Sequence, residues 1–575
     1  LIFDDDIDVT GWCQGYQNKI IVNGNIDIGS EVNFLGGNEI IEDYRLQISI
    51  NNPNISVTFD NLGITNVIIE TFNASNSFMN ETTCRNSDLI GHNGNFEMDN
   101  TFFWDKSAVH LVTSNPSNSV IIQNCEFFPE NSNNALTIEN YTVVRINNTE
   151  IKSSTNGLQL FRCGKSTGSV TGCIIQENSN AGITLYSSKV EISHNFFESN
   201  GYAFKTLNRS NVSVYGNCEN ITQEFKMSNY AEIYGSVESF PYILRYNYFK
   251  FNPDYTDNLL NFMTLEDVVF DARENYWNSI PNPSLYFIPS QNYIWEPVWT
   301  PGECYKSGEI AENIFLSAKN NIELGNYSDA QNELKQLVDD YPGSQFSQAA
   351  LRELYDIEKY CQNDFLSLKN YYTSNPLIQN DILLKKRADH FAAYCDMELE
   401  NWPSAINWFE SVILNPPCEE DSIFAIIDLG YLYFKMGQSY QKIAYTGMLT
   451  EHIPSSVKQY VKKRNYLLSL LPGDQKGNTY NERVAKLVEG ELLQNIPNPF
   501  RGATQIWYKL EDESRVKLDV FNYTGQLVWS SNERTKPKGT HNFRFDASNL
   551  TNGVYFYSLT INGQTTDAKK MTVIK

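Results

Sequence analysis

Three aspartates alternate near the start of the chain: Asp4, Asp6 and Asp8, ahead of Thr10 and Gly11. Alternating carboxylates suit a calcium loop, because a hard cation takes several oxygens from one short stretch. The pattern breaks early. Val9 stands where glycine should make the turn, and no glutamate follows at the twelfth position, so a solvated segment is the simpler reading. Asp88, Asp99 and Asp105, Glu177, Glu191 and Glu198, and His92, His110 and His194 are the other groups that could serve acid–base or metal chemistry. Hydrolysis of a glycoside would need two carboxyls facing one groove. Here the aspartates sit in different local contexts, and no Asp occurs between Val120 and Asp254. The glutamates fit outward strand or corner positions, and each histidine lacks a second His or Cys at ligand spacing. Ten cysteines are present, namely Cys13, Cys84, Cys125, Cys163, Cys173, Cys218, Cys304, Cys361, Cys395 and Cys418, and none forms the CxxC pair of a zinc site. An oxidising compartment would permit disulfides. Buried free thiols in a stacked core are an equal reading, and spacing alone does not decide the pairing.

The elements that carry these residues repeat. Val120-Ile121-Ile122-Gln123-Asn124, Val144-Arg145-Ile146-Asn147-Asn148, Val190-Glu191-Ile192-Ser193-His194 and Val212-Ser213-Val214-Tyr215-Gly216 share one pattern. The valines fall 24, 46 and 22 residues apart, the middle gap holding two turns with Val170 between them. A second register runs through Asn156-Gly157-Leu158, Ala181-Gly182-Ile183 and Asn200-Gly201-Tyr202, read as in phase. A period in the low twenties with short strands and Asn or Gly corners means a solenoid. Asn suits corners because it tolerates the left-handed conformation, and stacked Asn side chains can form ladders. We expect a right-handed parallel β-helix of about ten coils, on the order of 50 Å long. His194 occupies the corner position that Asn148 holds in an earlier coil. Lys19 to Ile28 reads as capping strands, with residues 1–29 as a cap and 30–303 as the β-helix.

The solenoid resembles the parallel β-helix repeat family that includes pectate lyases and many secreted bacterial proteins. Leucine-rich repeats are excluded because their Leu-x-x-Leu-x-Leu pattern is absent. Lyases of this fold use clustered aspartates for calcium with an Arg or Lys base, and these coils hold few acids. The expectation is no catalytic, cofactor or metal residue, with a carbohydrate-active enzyme as the rival. Trp104, Phe102, Phe103, Tyr202 and Tyr215 could stack on sugars, although such rings mostly fill cores. A glycan-binding adhesin is a third reading. The strap with Pro281, Pro283, Pro289 and Pro297, together with Trp295 and Trp299, should cover the last coil, which a solenoid requires.

From Ser307 the apolar period becomes helical. Ile310, Ile314, Phe315, Ala318 and Ile322 share a face; Leu324 to Ala330 turns the chain, with Ser328 as N-cap. Leu399 to Ala405 repeats that turn 75 residues later, with a middle unit marked by Pro376. Two periods near 37 resemble tetratricopeptide repeats, although the middle unit lacks the Gly-x-Tyr turn. The resemblance implies helix pairs that bind a peptide or protein; a structural spacer over residues 304–491 is the other reading. Further helices are expected at Ile423 to Met436 and Val457 to Leu471. Asp421-Ser422-Ile423 fits a short O-glycosylation pattern of Bacteroidetes.

The last stretch, residues 492–575, alternates with period two between Gly and Asn turns and reads as a small antiparallel β-sandwich. It opens on Pro497-Asn498-Pro499-Phe500, continues through Tyr508 to Leu510, Gly525-Gln526-Leu527-Val528 and Gly553-Val554-Tyr555-Phe556-Tyr557, and closes on Lys570-Met571 and Val573-Ile574-Lys575. This order resembles the type A C-terminal sorting domain of the type IX secretion system of Bacteroidetes and related bacteria. The resemblance implies Pro497, Asn498, Pro499, Phe500, Gly525, Gly553, Tyr555, Lys570 and Lys575 as the signal. It also implies the secretion machinery as partner, export across the outer membrane and, in most members, removal of the tail with attachment of the cargo to lipopolysaccharide.

Charge agrees with that address. The chain carries −24, and the tail has eleven Lys/Arg against seven Asp/Glu, leaving −28 for the rest. Such a body offers no basic surface for nucleic acid and is repelled by anionic membranes. No run of about 18 apolar residues offers a spanning helix. Leu1 without Met reads as a processed N-terminus or a fragment. The combined expectation is an exported, non-enzymatic surface or extracellular protein that associates with itself, with other surface proteins or with polysaccharide. Solenoid ends, a helical groove and a sandwich edge would offer contacts for a fibre or surface layer.

Overall fold

The computed structural model describes the first 72 residues mostly as backbone strands, then most of residues 75–300, 310–439 and 490–573; residues 301–309 and 440–489 are among those outside the description. The chain forms two units, Leu1–Asn401 and Trp402–Lys575.

In the first unit the strands stack into three parallel sheets of thirteen, eleven and eleven strands. The chain visits the sheets in turn and coils right-handed. Lys19–Val22 and Ile26–Ile28 belong to these same ladders, pairing with the strands Leu46–Asn51 and Ser56–Asp60. Valines and isoleucines point inward and stack on their kind: Val120 on Val144, Ile122 on Ile146, Val190 on Val212. Val170 marks the intermediate coil but pairs with Ile146 and Ile192, two residues out of the valine row.

Among the described residues many corners turn on left-handed residues, some singly and some in pairs such as Asn208 and Arg209. One row holds Asn100, Asn124, Asn148, Gly172 and His194, with φ of 45°, 55°, 48°, 68° and 60°. His194 therefore does occupy the corner of Asn148. A second row includes Ser153, Glu177 and Ser199, and a third Asn140, Arg162 and Ser187. A left-handed non-glycine residue costs about 1–2 kcal/mol. Bonds inside each corner offset this cost. The residue after the corner points inward and satisfies backbone groups: Thr101 and Thr149 donate to the carbonyls of Asp99 and Asn147, and Asn195 Oδ1 accepts the Cys173 N–H at 2.9 Å. The expected side-chain ladders are present, as the side chains of Ser154, Asn178 and Asn200 bond in sequence across three coils.

That ladder corrects one alignment. Asn200-Gly201 is not in phase with Asn156-Gly157, because Ala181 pairs with Tyr202 and Ile183 with Phe204. Asn200 belongs to the interior ladder, and Ala203 is the true counterpart of Gly182. Gly182 has no room for a larger residue, since a Cβ there would lie 2.7 Å from the Ala203 carbonyl.

The strap segment extends the coil. Phe287–Ile288 adds a last strand to the first sheet. Phe287 and Trp299 are buried, and Trp277 packs edge-on against Phe287 at 5.1 Å.

Among the described residues six α-helices complete this unit: α1 Ile310–Glu323, α2 Tyr327–Asp340, α3 Gln345–Ile357, α4 Phe365–Ser374, α5 Pro376–Asn380 and α6 Ile382–Glu398. Gly325, Asn363 and Glu400 are left-handed, at φ 79°, 66° and 55°. Gly325 follows α1, Asn363 precedes α4 and Glu400 follows α6. Ser328 is not the cap of α2. The helix already begins at Tyr327, which puts Asn326 at the cap and Ser328 in the first turn.

In the second unit α7 Trp402–Leu414 packs on α8 Glu419–Ser439. Helix α8 covers the expected Ile423 to Met436; Val457 to Leu471 lies outside the described residues. The tail forms two antiparallel sheets, one of Gly490–Leu492, Ala503–Leu510 and Gly539–Asp546, the other centred on Ser514–Asn522 and Gly553–Ile561. Ile506, Tyr508 and Leu510 of the first meet Val516, Leu518, Tyr557 and Leu559 of the second in one core.

Candidate functional site

The acids that could have done chemistry fasten coils to one another. Asp88 Oδ1 accepts the Ala108 N–H at 3.1 Å, and Asp99 Oδ1 accepts from Asn124 at 2.9 Å. Asp105 pairs with Arg85 at 2.9 Å, and Glu177 accepts from Ser153 at 3.0 Å. Glu191 accepts from the Tyr215 hydroxyl, and Glu198 pairs with Lys226. Burial holds His92 down at about 4, so its ring is neutral near pH 7. Asp8 lies in a short strand whose backbone pairs with Asp27, and Asp4 and Asp6 are outside the described residues. Among the described residues no group of three or more His, Cys, Asp or Glu is placed to hold a metal.

The described cysteines Cys84, Cys125, Cys163, Cys173, Cys361 and Cys395 are free thiols, and all but Cys361 are buried. Burial pushes Cys125, Cys163 and Cys173 up to about 12, so none is a thiolate nucleophile at neutral pH. They occupy interior corner positions, where Cys125 and Cys173 donate weakly to the carbonyls of Gln123 and Thr171.

The aromatic candidates divide. Phe103 and Tyr202 are buried, and Tyr215 is tied to Glu191. Phe102 and Trp104 remain half-buried on the outer face of the third sheet, with ring centres 5.8 Å apart. From Thr83 on, the strands of that sheet are three residues long, with the middle residue inside. Phe103 stacks on Phe127 at 5.2 Å, and Phe197, Phe225, Phe249 and Trp277 continue inside at 4.9, 4.8 and 4.6 Å. Their neighbours face outward, so Phe128, Phe196, Tyr248 and Tyr276 join the outer face, all half-buried. Cations lie on this row: Arg85 sits 4.5 Å above Trp104 and Lys152 5.3 Å from Phe128. The repeated aromatic-Phe-x triplet was the available signal for these rings.

Sequence reasoning missed the seam between helices and solenoid. All thirteen residues of α3 are buried, six of them Gln345, Ser347, Gln348, Arg352, Glu353 and Asp356. Arg245 reaches Glu312 of α1 and Asp271 at 3.0 Å each, and Glu274 at 3.5 Å. Gln345 donates to the Tyr242 carbonyl at 2.9 Å and accepts the Asp271 N–H at 3.1 Å. Lys319 of α1 donates to the Tyr242 hydroxyl at 2.9 Å. His390 of α6 is held well below its usual value by burial and by the nearby Arg209, Arg387 and Arg352. Helix α3 thus turns Gln345, Arg352 and Glu353 toward the chain's own solenoid. Asp421 and Ser422 are buried in α8, which leaves the O-glycosylation pattern no access in this fold.

In the tail, Phe500 is buried and bridged to Val573, and the Asn495 N–H donates to the Tyr557 hydroxyl at 2.7 Å. Gly553, Tyr555 and Lys570 lie on paired strands, Gly553 opposite Val573 and Phe556 opposite Lys570. The structure thus brings Phe500, Gly553 and Tyr555 around the last strand. Pro497, Asn498, Pro499, Gly525 and Lys575 lie outside the described residues.

Two families match parts of the chain. Residues 86–218 match the right handed beta helix region, and residues 496–575 match the secretion system C-terminal sorting domain. A comparison with curated proteins returns no match. The sorting domain directs the chain to the cell surface or the extracellular space and implies contact with the secretion machinery. Among the described residues no helix is long and apolar enough to cross a membrane.

Proposed function

We propose that this chain is a non-enzymatic surface or extracellular protein exported by the type IX system, whose solenoid is a rigid rod that assembles into fibres or a layer. One observation carries the reading: Asp88, Asp99, Asp105, Glu177, Glu191 and Glu198 each bond to a neighbouring part of the coil. Acids used in this way stiffen a rod. The helices, similar to tetratricopeptide repeats, brace the rod through α3 and leave Leu366, Leu377 and Ile382 exposed for a partner. Electron microscopy of the native protein at the cell surface, with mass spectrometry of its C-terminus, tests this. Ordered fibres retaining Lys575 support it; dispersed chains cut near Gln494 overturn the assembly.

The outer aromatic row favours a second reading, glycan binding without cleavage. Half-exposed Trp104 and Phe102 beside paired charges suit sugar faces and hydroxyls. Trp104→Ala should then weaken binding to surface polysaccharide at least tenfold by titration, and unchanged binding rejects that face.

A further inference from the structure

The seam between α3 and the second sheet brings together a nucleophile, an electrophile and a proton carrier. Lys189 and Asn211 are register partners on adjacent strands, Lys189–Ser193 and Asn211–Tyr215. Both are buried, at 5% and 2% exposure, and Glu353 of α3 is at 0%. Glu353 binds the Lys189 ammonium through Oε2, while its Oε1 lies 3.5 Å from Asn211 Nδ2. Nδ2 donates to the Ala349 carbonyl at 2.9 Å, which fixes the amide. Arg387 of α6 donates from Nη2 to Asn211 Oδ1 at 2.6 Å.

We propose that Lys189 and Asn211 join in an intramolecular isopeptide bond, with Glu353 carrying protons and Arg387 stabilising the oxyanion. Burial pushes the Glu353 carboxyl up, but Lys189 and Lys319 outweigh it and hold the group below its ordinary value, so the pair rests ionic. Reaction begins when a Lys189 proton crosses to Glu353. Removal from water narrows the gap between ionic and neutral pairs, because both charges have lost their hydration. The Nζ lone pair then attacks Asn211 Cγ, and the carbonyl π pair moves onto Oδ1 opposite the guanidinium, as in other preorganised oxyanion sites. Glu353 delivers its proton to Nδ2 and relays a second one from Nζ. The carbonyl re-forms as the Cγ–Nδ2 bond breaks. One C–N bond forms and one breaks, ammonium leaves, and the new amide keeps one hydrogen on Nζ. No oxidant, reductant or co-reactant is required. The bond would fasten two successive coils where the helices dock, and it stands apart from the function proposed above.

Intact-mass spectrometry and peptide mapping of the purified full chain test this. The expected result is a mass lower than that of the unlinked chain by one ammonia, with a branched peptide joining the Lys189 and Asn211 segments. Glu353→Gln and Asn211→Ala should each abolish the branched peptide. If either variant fails to fold, the wild-type map still decides. Separate Lys189 and Asn211 peptides from folded wild-type protein overturn the proposal, as does an ammonia loss without the branched peptide.

Discussion

Phe500 and Val573 are bridged in parallel, so the lead-in of the tail is paired with its last described strand. The motif residue and the terminal strand that the sequence offered as separate parts of a signal are one structural element.

Phe500→Ala should therefore act on the whole tail. Emptying a fully buried phenylalanine site costs about 3–5 kcal/mol, a large share of what a small sandwich has. We expect faster hydrogen exchange across Lys569–Val573 and clearly less protein at the surface by immunolabelling. Leu527→Ser, at a half-exposed position, should change neither, being worth about 0.5 kcal/mol or less. Normal exchange and display in Phe500→Ala would sink the claim that this clamp holds the signal together.

His194 separates a corner from a catalyst. Its φ of 60° is the requirement, so Asn or Gly should replace it with almost no loss. A β-branched residue should not: His194→Val is expected to cost about 1–2 kcal/mol. Thermal unfolding of His194→Asn, His194→Gly and His194→Val checks the order. Equal stabilities for all three would remove the backbone argument.

Arg245 is shared by Glu312, Asp271 and Glu274 at the seam. Removing one partner from a buried ionic group costs about 3–5 kcal/mol, because the opposite charges stay behind unpaired. Arg273 still serves Asp271, so the burden falls on Glu312 and Glu274. Arg245→Ala should loosen α1 from the solenoid, read as increased hydrogen exchange in Ile310–Glu323 with the strands around Val144 unchanged. Equal protection of α1 in both proteins would mean that the remaining contacts, such as Tyr242 on Phe315 at 5.0 Å and the Lys319 bond to the Tyr242 hydroxyl, are enough to hold it.

What was legible follows from which forces act locally. Val144, Ile146 and their stacked partners repeat because every coil buries the same two positions, and that repetition is written in the sequence. The tail was legible for the same reason: Ile506, Tyr508 and Leu510 alternate strictly. The Asn200 alignment failed because an Asn-Gly pair looks alike at a corner and in an interior ladder, and only the Asn178 bond tells them apart. Helix α3 was opaque for a different reason. Arg352, Glu353 and Asp356 are charged residues that the apolar period passes over, yet each is satisfied inside by a residue far away in sequence or one turn along. Pairing of buried charges across long separations leaves no period to detect. The outer aromatic row was half legible: Phe102 and Trp104 were visible as candidates, but the in-out order of three-residue strands was needed to place Phe128, Tyr248 and Tyr276 beside them.

Glu232 gives the stability a definite pH dependence. It is fully buried, and burial pushes it up to about 7 despite hydrogen bonds from the Ser228 hydroxyl at 2.6 Å and N–H at 3.2 Å. Between the unfolded value of 4.5 and about 7 the folded chain holds a proton that the unfolded chain has released. The unfolded state binds fewer protons there, so stability falls as pH rises, by about 1.4 kcal/mol per pH unit. The loss is complete above about pH 7 and amounts to roughly 3 kcal/mol from this one group. Glu232→Gln keeps an acceptor for Ser228 and has no charge to bury. It should match wild type near pH 4, and at pH 8 it should be more stable by up to that amount. Urea unfolding of the two proteins at pH 4, 6 and 8 reads the difference directly. A constant gap across the three values would show that Glu232 ionises freely in the folded chain, which requires water to reach a carboxylate that the fold otherwise encloses.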